Sequence, residues 1–324
     1  MNFSKRMSDP CGRIQTGLAD QRRPSAMLLQ FLSTALSLML LLNTGLLRAH
    51  EYWLDPVGSQ WQIGDLLQAD IRNGDDFVGT AFPFDPESLA RAGLISDSKR
   101  QGLRGRLGDY PAFQLPVQEE GIHLLLLETT QRQITYDDLE AFEKFLGEHS
   151  LDEFSERHQQ RDLPETDISE TYYRYCKALL TVSSSSGTNL NSRTSAASND
   201  VSDAVDSQNV THNRPTPALQ LQDQRLELVV AENPLGSETV SVQVLFEGVP
   251  LADRQIELFH RNESSKVEKT IKQSDDEGYA QFSIAAAGDY LLNSVWIEES
   301  PDSSAHWTTY WASLFFQQTN KQDD

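Results

Sequence analysis

Thr239-Val240-Ser241-Val242-Gln243-Val244 sets an apolar side chain at every second position. That is the two-residue period of a strand with one buried face and one wet face. Arg225–Val230, Arg254–His260, Tyr279–Ile284, Asp289–Ile297 and Trp307–Phe316 are runs of the same kind around it. The breaks between them are rich in turn formers: Asn233-Pro234-Leu235-Gly236, Gly248-Val249-Pro250, Asp275-Asp276-Glu277-Gly278 and Ala287-Gly288-Asp289. Six or seven short strands at this spacing predict an immunoglobulin-like β-sandwich over residues 218–324. The acidic break at Asp275 lacks the alternating ligands and distal glutamate of a calcium loop, so it reads as a turn whose glycine takes the left-handed conformation.

Toward the amino terminus the signals mix. Glu51–Pro56, Leu66–Arg72 and Ile122–Glu128 read as strands. Thr135 is placed to cap a helix running through Leu139, Phe142, Phe145 and Leu146, with Asp137 and Asp138 in its first turn. Glu170–Val182, with three tyrosines and a Thr-Val end, reads as a strand. Residues 50–182 are thus expected to form a β-rich domain with a helical insertion.

Between the two parts, residues 183–217 run SSSSGTNLNSRTSAASNDVSDAVDSQNVTHNRPTP. With no aromatic residue and little apolar content, ordering this stretch could not be offset by burial, and it is expected to be a flexible linker. The expectation for the whole is a mainly β chain: two β-sandwich domains, the first with a helical insertion and the second immunoglobulin-like, joined by that linker.

The chain has 324 residues with 48 Asp+Glu against 27 Lys+Arg, a formal charge of −21. So acidic a balance excludes nucleic acid, which needs a basic face, and excludes attachment to anionic lipid through a basic patch. The acid is unevenly spread. Residues 1–49 carry Lys5, Arg6, Arg13, Arg22, Arg23 and Arg48 against Asp9 and Asp20, a net of +4, which leaves −25 for the rest. Met27–Leu47 is uncharged and leucine-rich. A positive flank, an apolar run and a small residue at Ala49 predict a secretory signal peptide cleaved before His50. The alternative is an uncleaved inner-membrane anchor, since the run is long enough to span a bilayer. Either reading puts the chain after Ala49 in the periplasm, with membrane contact only through the amino-terminal segment. Of the two cysteines, Cys11 belongs to that segment, which leaves Cys176 alone and without an internal disulfide partner.

The stretch Ala49-His50-Glu51-Tyr52-Trp53-Leu54-Asp55-Pro56 after the leader resembles the start of domain-of-unknown-function family 4198. So do Glu170–Leu179, Pro250-Leu251-Ala252-Asp253 followed by Asp276-Glu277-Gly278, and Tyr310-Trp311-Ala312. The resemblance implies a periplasmic protein, and many members are described as nickel or cobalt uptake components. It therefore implies a metal-handling or transport-accessory role, with a membrane metal permease as the partner.

Cleavage after Ala49 would give His50 a free α-amine beside its imidazole, a nitrogen pair suited to nickel, cobalt or copper. Glu51, His123 and His306 are the candidates for further donors to that transition metal ion. No H-x-x-x-H, H-x-H or C-x-x-C pair reinforces them. For catalysis there is no G-x-S-x-G, no H-E-x-x-H and no glycine-rich phosphate loop, so an enzyme is not expected. The competing reading is a structural or adhesive sandwich module of the cell envelope that holds no metal.

Overall fold

The computed structural model describes residues 51–58, 60–184, 216–301 and 303–319. The leader, His50 and nearly all of the serine-rich connection lie outside the described residues. In chain order the strands are β1 Glu51–Pro56, β2 Trp61–Gln62, β3 Leu66–Asp75, β4 Val78–Phe82, β5 Leu89–Ile95, β6 Arg100–Gly102, β7 Phe113–Pro116, β8 Gly121–Thr129, β9 Arg132–Asp138 and β10 Thr166–Ser183. After the connection come β11 Leu226–Val230, β12 Thr239–Phe246, β13 Val249–Pro250, β14 Gln255–Arg261, β15 Val267–Gln273, β16 Tyr279–Ser283, β17 Gly288–Glu299 and β18 Trp307–Gln318. Helices α1, Leu139–Glu148, and α2, Glu153–Gln160, stand between β9 and β10.

The class is mainly β, as the periodicity requires. A ten-stranded sheet runs β15-β14-β17-β18-β10-β8-β5-β6, with β9 and β2 also pairing with β10. Alternation along β18 shows how both of its faces are used. Tyr310, Ala312, Leu314 and Phe316 enter a core shared with Leu226 and Leu228 of β11 and Val240, Val242 and Val244 of β12. Phe315 points the other way, into a core with Trp53 of β1, Ile71 of β3 and Phe77. Trp307 and Trp311 share that second face and pack under α1 and α2, against Phe142, Phe145 and Phe154. One small sheet, β11, β12, β13 and β16, therefore covers one face, and another, β1, β3, β4 and β7, covers part of the opposite one. Burying a side chain such as Phe315, fully hidden between these layers, contributes about 2–3 kcal/mol.

The two sandwiches are joined through the large sheet. Each half does face one small sheet against part of the large one. The large sheet is continuous, however, because β18 pairs in parallel with β10 from Glu170↔Trp307 to Ala178↔Phe315. Physically, β18 is apolar on both faces, and a strand of that kind is stabilised in a sheet interior rather than at an edge.

The helix cap is corrected. Thr135 lies in β9 opposite Ser169. The cap is Asp138, extended at φ −150° and ψ 170°, whose side chain accepts from the Ala141 N–H at 2.8 Å. Pairing with β10 holds the chain extended as far as Asp138, so the helix starts one turn late. The acidic break at Asp275 is a turn, as expected. Asp275 Oδ1 accepts from the N–H groups of Glu277 and Tyr279 at 3.1 and 2.7 Å, and Gly278 sits at φ +81°.

Candidate functional site

His123 and His306 are not brought together. His123 is buried on β8 opposite Leu180, with Nδ1 3.2 Å from the Gly121 carbonyl oxygen. His306 precedes β18, and its Nδ1 accepts from the Ser169 N–H at 2.9 Å. Ser169 and Leu180 lie on the one strand β10, and at ~3.3 Å per residue their separation is roughly 36 Å. No ion can bridge that span. The desolvated, neutral state that burial favours lowers the pKa of His306, with His158 and Arg161 adding to the effect.

Glu51 opens β1, and beneath that strand lies a buried polar row. Across four strands the row reads Glu257, Asn293, Ser313, Cys176, each opposite the next. Glu257 accepts from Lys269 Nζ at 2.5 Å, Asn293 Nδ2 at 2.9 Å and Gln255 Nε2 at 3.2 Å. Ser313 Oγ and Cys176 Sγ both donate to the Tyr52 carbonyl, at 2.7 and 3.3 Å, and so bind β1 to the sheet. Among the described residues Glu51 Oε2 has no hydrogen-bond partner. Burial, with the carboxylate of Glu257 adding to it, pushes the Glu51 carboxyl up to about 8. His149, at the end of α1, is buried with its ring centroid 4.9 Å from that of Trp311, and burial pushes its pKa down to about 4. Among the described residues no group of three or more His, Cys, Asp or Glu side chains is placed to hold a metal ion.

The Glu170, Arg174 and Lys177 set divides by strand parity. Glu170 and Arg174 share one face of β10. Glu170 accepts from Tyr136 Oη at 2.8 Å and Thr309 Oγ1 at 2.5 Å, and the Arg174 guanidinium lies 5.1–5.2 Å from the ring centroids of Tyr52, Tyr172 and Trp311. Lys177 points to the opposite face and pairs with Glu227 of β11.

Sequence reasoning missed a cleft. β10 and β18 stop pairing after Ala178 and Phe315. β10 continues beside β8, while its vacated side is taken by β2 only from Val182, opposite Trp61. The opening is about 550 Å³, lined by Gln60, Trp61, Gln62, Asp65, Leu179–Thr181, Ser183, Leu235, Gly236 and Gln317–Thr319. That volume is in the range of ligand sites. Its walls offer amides, hydroxyls, main-chain groups and the single carboxylate of Asp65, beside the apolar Trp61, Leu179, Leu180 and Leu235. The contributors come from four separate stretches of sequence with no shared motif, so no local pattern could have announced it.

Residues 205–298 match the family model described as Domain of unknown function (DUF4198), in agreement with the resemblance carried by Pro250–Asp253 and Asp276–Gly278. The comparison with curated proteins gives no match. Among solved structures, the D0-D1 domain of intimin is similar over 82% of this chain and 97% of its own, at 8% identity and a TM-score of 0.19. A tetra-tandem repeat in the extending region of a large adhesion protein is similar over 84% of this chain and 50% of its own, at 9% identity and a TM-score of 0.18.

Proposed function

We propose that the chain is an exported β-sandwich binding module of the cell envelope, with the cleft between β10 and β18 as its recognition site. The carrying observation is that the central sheet opens there, where β18 leaves β10 after Phe315. A lining of amides and hydroxyls with one carboxylate suits holding a ligand through hydrogen bonds. Export rests on the leader pattern ending at Ala49. The test is a photo-crosslinking residue at Thr181 in the chain expressed with its own leader, alongside a control at exposed Ser265. An adduct formed only from Thr181 supports the reading; equal labelling at both positions refutes it. Amino-terminal sequencing of the same material reports whether the exported chain starts at His50.

A second reading is supported by Glu51, whose buried Oε2 is unpartnered one residue after His50. In that reading His50 and Glu51 hold a nickel, cobalt or copper ion for delivery to a membrane permease. His306 and His123 have no part in it. The ion would supply a positive charge beside the Glu51 carboxylate, Glu257 being paired already with Lys269. Calorimetric titration of the processed chain with each metal tests this: His50→Ala and Glu51→Gln should each abolish tight binding, and unchanged binding in both would remove the reading.

A further inference from the structure

We infer that the cleft receives an extended peptide strand, which takes the place beside β10 that β18 vacates. The inference rests on the reading of the cleft as the recognition site and names its ligand class. Main-chain groups of a strand point alternately to its two sides. Beyond Ala178, one side of β10 stays paired with β8, from Leu179↔Leu124 to Val182↔Gly121. On the other side, among the described residues, Leu179, Leu180 and Thr181 have no ladder partner before β2 begins. The Ser183 carbonyl accepts from Ile63 N–H at 3.1 Å, so the odd-numbered residues of β10 face this side, and Leu179, 2% exposed, and Thr181 direct main-chain groups into the cleft, where a hydrogen-bonding partner is favoured.

A strand supplies such partners at the required spacing, and this is the physics of strand addition to an open edge. The vacated span is three residues, roughly 10 Å at ~3.3 Å per residue, so three or four ligand residues would sit within it. On the facing wall Gln318 is already committed, with Nε2 donating to the Pro234 carbonyl at 2.6 Å and Oε1 accepting from Gly236 N–H at 2.8 Å. Gln317 Nε2 is held by Asp289 Oδ1 at 2.7 Å, while its buried Oε1 has no partner among the described residues. Charge narrows the ligand further. Asp65 is the charged residue of the lining, exposed at the mouth, and the whole chain carries −21. An acidic peptide is disfavoured. A peptide that is neutral in the cleft and carries one basic side chain toward Asp65 fits.

The test pans a displayed library of random nonapeptides on the exported chain and measures selected peptides by fluorescence polarisation. Enrichment of β-branched, uncharged or singly basic sequences is expected. Methylating alternate backbone nitrogens should weaken binding roughly tenfold or more in one of the two alternating registers and little in the other, since only one register faces β10. Thr181→Trp and Gln62→Trp, both at exposed positions, should block binding by steric filling, while Lys266→Ala should leave it unchanged. Failure to select any peptide, or binding indifferent to both methylation registers and to both tryptophans, overturns the inference. If Thr181 crosslinks a non-peptide molecule while no peptide is selected, the recognition site stands and the strand ligand falls. Peptide binding that appears only after residues 320–324 are deleted would assign the place to the chain's own end and equally overturn a partner strand.

Discussion

Lys177 of β10 and Glu227 of β11 form an ion pair that is almost wholly buried, with side chains 4% and 1% exposed and fifty positions apart in the chain. Lys177 Nζ also donates to the Leu228 carbonyl at 3.2 Å, and Glu227 accepts from the N–H groups of Gln222 at 2.7 Å and Gln224 at 3.2 Å. The carboxylate thus organises the entry to β11 as well as answering the lysine. Burial lowers the lysine pKa, and Glu227 acts against that fall. Lys177→Met leaves an uncompensated buried carboxylate and is expected to cost about 3–5 kcal/mol in urea unfolding. Adding Glu227→Gln removes the charge, keeps an acceptor for one of the two N–H groups, and should recover part of that loss. A double variant no more stable than the single one would show that the pair is not the source of the cost.

Glu170 gives the fold a pH dependence of defined sign. Burial lifts its carboxyl from an ordinary 4.5 to about 7, against the hydrogen bonds from Thr309 and Tyr136. Between those values the folded chain keeps a proton that the unfolded chain has released, so this group's contribution to stability falls as pH rises from 4.5 to 7 and is level outside that window. His149 works the other way: with its pKa down from 6.5 to about 4, its contribution rises with pH between 4 and 6.5. The two oppose each other in the intact chain and must be separated by substitution. Glu170→Gln should gain on the parent by about 3 kcal/mol as the pH of the urea melt moves from 4.5 to 8. A constant gap between the two proteins across that range would contradict the assignment.

Cys176 should resist modification in the native state. It is 1% exposed, donates to the Tyr52 carbonyl, and burial pushes its thiol up to about 12, so almost no thiolate exists at neutral pH. Reaction with an aromatic disulfide reagent is expected only at the rate of unfolding, with full release in denaturant. Rapid labelling of the folded chain would mean that β1 lifts off the sheet.

The Asp275–Gly278 turn is expected to be structural. A Cβ at position 278 would lie 2.8 Å from the Val244 carbonyl oxygen, at a φ of +81° that side chains rarely adopt. Gly278→Ala should therefore cost about 2 kcal/mol, read from the thermal midpoint. Added calcium should leave the midpoint of the parent unchanged; a calcium-dependent rise would restore the ion site.

Much of this was written into local pattern. β1 falls where the sequence placed it, and the expected strands of the second half match β11, β12, β14, β16, β17 and β18 to within a few residues. β15 escaped notice because Val267–Gln273 is an exposed edge strand bearing Glu268, Lys269 and Lys272, and so has no buried face to impose a two-residue period. The union of β10 with β18 was illegible for a different reason. Side-chain alternation says which face of a strand is buried, whereas lateral partners are chosen by main-chain hydrogen bonds that are alike for every residue. The cleft depends on that union and on where it ends, so it was hidden too. Of the four proposed ligands, Glu51 gains interest from its unpartnered oxygen, His123 and His306 are separated by the length of β10, and His50 lies outside the described residues.

The parallel seam of β10 and β18 has a consequence for how the two halves depend on one another. Because the joint is made laterally, along nine residue pairs and through the layers packed over them, covalent continuity between Ser184 and Thr216 is not what holds the halves in place. A protease nick there should yield two fragments that elute together, and insertions or deletions there should leave the melting curve almost where it was. Natural variation can therefore rewrite that connection freely while the seam itself keeps its register.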